Sequence, residues 1–179
     1  RRDSESIWWN SQVMNGFQLR AAYIMGPTTN DTGATAQADQ DGMQIGLSYA
    51  SGPMSIKVSQ ATYNDYATTG LEADAPVAGS EATASSVIGT YDFGTFKASV
   101  AMWNMEQTGI AINDANNAAA TAVEASGKSL NVEMPVANGK VWLQMSEIGD
   151  QDTTTAAGSA AVVDSGKDSW DVGYLHNMN

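Results

Sequence analysis

Residues 96–102 read Phe96-Lys97-Ala98-Ser99-Val100-Ala101-Met102. Successive side chains of an extended chain point to opposite sides, so Phe96, Ala98, Val100 and Met102 share one face and Lys97, Ser99 and Ala101 the other. Just upstream stands Thr90-Tyr91-Asp92-Phe93-Gly94-Thr95, in which Gly94-Thr95 supplies a tight reversal. The stretch therefore predicts a hairpin of strands 83–93 and 96–106. The same period of two runs through Met43-Gln44-Ile45-Gly46-Leu47-Ser48-Tyr49, Ser55-Ile56-Lys57-Val58-Ser59, Leu130-Asn131-Val132-Glu133-Met134-Pro135-Val136 and Lys140-Val141-Trp142-Leu143-Gln144-Met145-Ser146. Period two is the mark of strands with one apolar face, and the fold class is all-β.

Working outward from the hairpin, the pattern predicts nine strands at about 4–13, 17–25, 43–51, 54–64, 83–93, 96–106, 128–137, 140–149 and 168–178. Asn15-Gly16, Ser51-Gly52-Pro53, Gly94-Thr95 and Asn138-Gly139 are short turns. Between them lie long connections at about 26–42, 65–82, 106–127 and 150–167, rich in Thr, Ala, Asp, Asn and Gly. In the third of these, Ala115 to Ala125 has the makings of a short helix, weakened by Asn116, Asn117 and Thr121. Strands of about 9–11 residues, joined alternately by short turns and long loops, are the layout of an antiparallel up-and-down transmembrane β-barrel. Phe17, Tyr49, Tyr91, Phe93 and Phe96 all sit near the short turns, where such a barrel needs an aromatic girdle. The outward set is read as Ile45, Leu47, Ile56, Val58, Val100, Met102, Val141, Leu143 and Met145.

Composition narrows the function. The 179 residues carry 8 Lys+Arg against 20 Asp+Glu, a net charge of −12, so the basic footprint of a nucleic-acid binder is missing. There is no cysteine, which removes disulfides, thiolate metal sites and a cysteine nucleophile. No run of 18 apolar residues encodes a transmembrane helix, a test to which barrels are blind. No Walker loop, dinucleotide fingerprint or zinc-protease motif is present, and no cofactor is called for. His176 is the only histidine and lacks a nucleophile to activate. Glu133 and Glu147 offer a candidate carboxylate pair for glycoside chemistry, but lumen lining explains Glu133 more simply and Glu147 stands at a strand end. The sequence is read as having no catalytic residues.

Five stretches then resemble one family, the general Gram-negative porins. Ser4-Glu5-Ser6-Ile7-Trp8-Trp9-Asn10-Ser11 with Asn15-Gly16-Phe17 resembles their NSI-x-Y-x-SP-x-F-x-GF segment, with Trp8-Trp9 replacing a tyrosine-bearing strand. Gly46-Leu47-Ser48-Tyr49-Ala50-Ser51-Gly52-Pro53 is similar to G-x-SY-x-x-GP, and Thr90 to Lys97 to YDFG-x-x-K. Met134-Pro135-Val136-Ala137-Asn138-Gly139 resembles x-P-V-G-N-G, with Ala137 where that pattern has glycine. Trp170 to Asn179 resembles the G-Y-x-Y segment of the same proteins and ends where their SKRT would follow. The resemblance implies a homotrimeric diffusion porin of the bacterial outer membrane, in contact with lipid and lipopolysaccharide and passing small solutes and ions. It implies that residues 1–179 form one segment of the wall of a barrel of ~16 strands, without the N-terminal strands, the constriction loop and the C-terminal strands.

The charges follow the same plan. Most acidic residues fall in the long connections, where Lys167 is the one base. Arg20, Lys57, Lys97 and Lys140 each lie near a short turn and each is flanked by apolar or small residues. Period two puts all four on the lumen side with Gln44, Gln144 and Glu133. A row of fixed positive charge along one inner wall selects permeant ions, and lysines on the lipid face would be costly in any case. Asp39, Asp41, Asp150 and Asp152 are read as acidic groups at the mouth that gather cations. Asp39-Gln40-Asp41-Gly42 and Asp150-Gln151-Asp152 look like pieces of a calcium loop, but neither has the bidentate glutamate that would complete it; no metal site is expected. The competing reading is a secreted β-sandwich that binds glycans or calcium through its acidic loops. It requires the apolar faces to pack against a second sheet.

Overall fold

The computed structural model describes residues 5–25, 41–64, 80–109, 120–155, 158–162 and 165–176. They form one antiparallel sheet of eleven strands. In chain order these are β1 (Glu5–Asn10), β2 (Phe17–Met25), β3 (Gly42–Ser51), β4 (Met54–Asn64), β5 (Glu81–Asp92), β6 (Lys97–Thr108), β7 (Ala120–Val136), β8 (Gly139–Ile148), β9 (Gln151–Thr155), β10 (Gly158–Val162) and β11 (Lys167–His176). From β1 to β8 each strand pairs with its sequence neighbour. The hairpin read from residues 90–97 is present, with Tyr91 opposite Ala98 and Asp92 opposite Lys97.

Three expectations are corrected. There are eleven strands rather than nine, because β9 and β10 form a hairpin inside the connection 150–167. β9 pairs with the upper part of β7, while β8 pairs with β11, so the nine strands read from the sequence keep their up-and-down order and the hairpin is added beside it. Of the stretch 115–125, weighed as a weak short helix, residues 120–125 are strand; the rest lies outside the described residues. Pairing with β6, Thr108 opposite Ala122 and Glu106 opposite Glu124, decides the backbone there against local helix propensity. The first strand ends at Asn10 rather than Val13.

The short turns follow from backbone geometry. Asn15 and Gly16 both have positive φ, 50° and 86°, as a type I′ reversal requires, and Met14 and Phe17 exchange backbone bonds across it at 2.9 Å. Gly52 and Gly94 take φ of 54° and 83°. The last short turn is centred one residue earlier than its Asn-Gly pair suggests: Val136 opposes Gly139, and Ala137 takes φ of 44°. Adjacent turns are stitched together, since Ala50 N donates to Gly16 O and Asp92 N to Pro53 O.

The sheet has almost no core. Among the described residues the buried apolar ones are Ala22, Ile24 and Ala82. Eight of the nine residues read as outward are exposed large hydrophobics, from Ile56 and Leu143 at 39% to Met102 at 57%, and Val141 is half-buried. A sandwich would bury them against a second sheet, and the described residues contain none. The exposure of this face counts against the competing sandwich reading.

Candidate pore wall

Residues directly opposed in an antiparallel pair share a face, so the register assigns every strand position. One row runs Phe17, Tyr49, Ile56, Gly89, Val100, Leu130, Met145, Trp170, apolar throughout. On the opposite face one row runs Arg20, Gly46, Ser59, Ser86, Trp103, Gly127. The next, toward the short turns, runs Gln18, Ser48, Lys57, Ile88, Ala101, Ser129, Ser146, Ser169. Hydroxyls on this second face bond to one another across strands: Ser59 to Ser86 at 2.8 Å, Thr90 to Ser99 at 3.0 Å and Ser146 to Ser169 at 2.6 Å.

Arg20, Lys57, Lys97, Lys140, Gln44, Gln144 and Glu133 all fall on this polar face. The four cations are not equivalent there. Lys140 lies 3.0 Å from Glu133, and Lys97 3.8 Å from Asp92. Arg20 meets only the side-chain oxygen of Gln18, at 3.4 Å. Lys57 has no ion pair among the described residues. The wall therefore carries two compensated lysines beside the short turns and two uncompensated bases farther up. The pairing of Asp92 with Lys97 was legible in principle, since both flank Gly94-Thr95 at equal distance. Gln44 is held by donating to the Tyr63 hydroxyl at 2.6 Å.

Large aromatic side chains on the polar face lie flat on glycines of the next strand. A Cβ on Gly127 would sit 2.7 Å from the Trp103 indole, and one on Gly173 2.5 Å from that of Trp142. Gly127 opposes Trp103, and Gly173 opposes Trp142. Period two alone placed Trp142 on this face but gave no sign of the glycine beneath it.

The acidic candidates divide. Asp39 lies outside the described residues. Asp41 is a clip between strand ends: Tyr23 OH donates to it at 3.2 Å and Asn64 Nδ2 at 3.0 Å. Asp150 accepts the Gly166 N–H at 2.8 Å. Asp152 is exposed and stands opposite Glu124. Glu133 and Glu147 are on opposite faces of the sheet, because Glu147 opposes and pairs with Lys128, at 2.9 Å, in the apolar-face row. They do not form a carboxylate pair.

The apolar face has a slanted outline. The row Leu19, Leu47, Val58, Val87, Met102 continues as Lys128, Glu147, Asp168. Its aromatic border at the short turns shifts the same way. It passes from Phe17 against Tyr49, 4.5 Å between ring centres, to Tyr91, Phe93 and Phe96 at 4.6 and 4.4 Å. On β11 the border reaches Tyr174, two rows nearer the turns than Phe17. Rows run perpendicular to strands, so an apolar belt that descends across them belongs to strands tilted against that belt, as closure of a barrel demands.

A sequence profile of the Gram-negative porins matches residues 1–179. No curated protein matches the chain.

Proposed function

The chain belongs to the Gram-negative porin family, and from that premise we infer that its polar face lines the water-filled channel while its apolar face meets lipid. Porins of this family sit in the bacterial outer membrane and let small hydrophilic solutes diffuse through passively; that is the function of this chain, and the family is one of channels rather than enzymes. The observation that supports the wall assignment is the register, which sorts the bonded hydroxyls, Gln44 and Gln144, and the Lys97 and Lys140 pairs to one face and a slanted apolar belt, bordered by the Lys128–Glu147 pair, to the other.

Within that reading Arg20 and Lys57 supply the positive field of the wall. Lys97 and Lys140, offset by Asp92 and Glu133, add little to it. Gln44, Gln144 and Glu133 are wetted wall positions. Asp41, Asp150 and Asp152, with Asp39, make the mouth negative, although Asp41 and Asp150 also hold backbone and strand ends in place. The family generally forms trimers, and the small outward side chains Ala21 and Ala98 and the bare Gly89 suit close approach of a second barrel. These 179 residues contain no cysteine, so each introduced thiol is the only one in this stretch. Single cysteines are placed at Ser59 and Val58 of the full-length porin in vesicles. A charged, water-borne thiol reagent should label Ser59→Cys and spare Val58→Cys. Equal labelling of both would overturn the wall assignment.

A further inference from the structure

The polar face holds a trough of about 410 Å³ between β2 and β6. Its central row is Arg20, Gly46, Ser59, Ser86, Trp103, so the arginine and the tryptophan stand at the two ends of the trough on one row of paired positions. The floor between them is small, Gly46, Ser59 and Ser86, and the row beside it carries Ala22, Ala61 and Ala84, with Gln44 among them and Trp8 and Met105 at its two ends. Four strand steps of ~4.8 Å separate the ends, ~19 Å along the sheet before the side chains reach inward.

The two ends are prepared for different chemistry. Arg20 is exposed, faces no carboxylate among the described residues, and has only its weak contact with Gln18. A free guanidinium fork takes a carboxylate with two parallel N–H bonds. Trp103 is laid against bare Gly127 and stays 38% exposed, so it presents an aromatic surface that a ring can stack on. The two adjoining rows lack this combination of free base and ring along one row: one holds Lys57 beside Ile88 with no ring, and the other holds Trp8 and Gln44 with no base.

We propose that this trough is a solute subsite for extended carboxylates bearing a ring, with Arg20 binding the carboxylate and Trp103 the ring. The subsite rests on the reading of the polar face as channel wall. The small floor lets the solute body slide between the two ends without a tight fit, which suits transit rather than retention.

The test uses the full-length porin in planar bilayers, with 4-phenylbutyrate as probe, hexanoate as the carboxylate lacking a ring and 4-phenylbutanol as the ring lacking charge. Phenylbutyrate should interrupt the ionic current at the lowest concentration of the three. Trp103→Leu should cut its advantage over hexanoate about fivefold, the value of one aromatic contact. Arg20→Gln should cut its advantage over phenylbutanol. Trp103→Phe should keep most of the ring preference, and Ser86→Leu, which raises the floor, should remove it. Lys57→Gln lies outside the trough and should change ion selectivity while leaving the ring preference. Equal potency of phenylbutyrate and hexanoate on the parent channel, or an unchanged preference in both Trp103→Leu and Ser86→Leu, would overturn the subsite and point to another part of the protein filling the trough. A parent protein that forms no channel at all would instead overturn the pore-wall reading.

Discussion

Single residues show where this wall departs from its own pattern. Ala137 takes φ of 44°, a left-handed conformation that costs a residue with Cβ about 1–2 kcal/mol. The resembling stretch in other porins has glycine there. Ala137→Gly should therefore stabilise the sheet, by up to about 1 kcal/mol once the extra freedom of the unfolded glycine is subtracted; a denaturant titration of the protein folded in vesicles measures it. Asp41 has a structural task beyond its charge, receiving Tyr23 and Asn64 from the strands on either side. Asp41→Ala should hasten amide exchange at the ends of β2 and β4 and leave the short-turn end unchanged. From the sequence Asp41 read as a charge at the mouth and Ala137 as a position beside a short turn. Their structural roles were not legible, because a hydrogen bond from Asn64 to Asp41 depends on register between strands joined by a turn at residues 52–53.

At the scale of the strand, the slanted belt sets a test that composition does not. Val58 and Lys128 occupy the same row of paired positions. If rows lay parallel to the membrane, the Lys128–Glu147 pair would stand at mid-belt, where a lysine costs roughly 2–4 kcal/mol. The slant puts it at the headgroup level instead. Val58→Lys should thus cost about 2–4 kcal/mol of folding stability in lipid. Replacing Lys128 and Glu147 together by leucine should change it by no more than about 1 kcal/mol, as for an exposed pair. Equal costs would mean untilted strands. Nine of the eleven strands were legible from period two and the spacing of the turns. The β9–β10 hairpin was not: Gln151–Thr155 and Gly158–Val162 are short and built largely of Thr, Ala, Ser and Gly, a loop-like composition. They become strands because the upper part of β7 offers an edge to pair with, and that edge is a non-local fact.

For the whole molecule the consequence of the charge arrangement is selectivity. With Lys97 and Lys140 offset by carboxylates, Lys57→Gln should move the zero-current potential toward cations more than Lys97→Gln does. The difference should fade at high salt, as the Debye length drops from about 10 Å at 0.1 M to about 3 Å at 1 M. Equal shifts for the two variants would restore a four-member cationic row. The site was legible as a set of residues on one face; its inequality was not, since it depends on which carboxylate each base meets. Finally, the neighbour-to-neighbour pairing has a mechanical side. A sheet whose strands are zipped only to adjacent strands, when drawn out of a membrane by one terminus, surrenders its ladders in succession rather than all at once. β7 is the exception, with β6 along one edge and β8 and β9 sharing the other. A pulling trace should rise to its tallest step there, at the seam that holds longest under load.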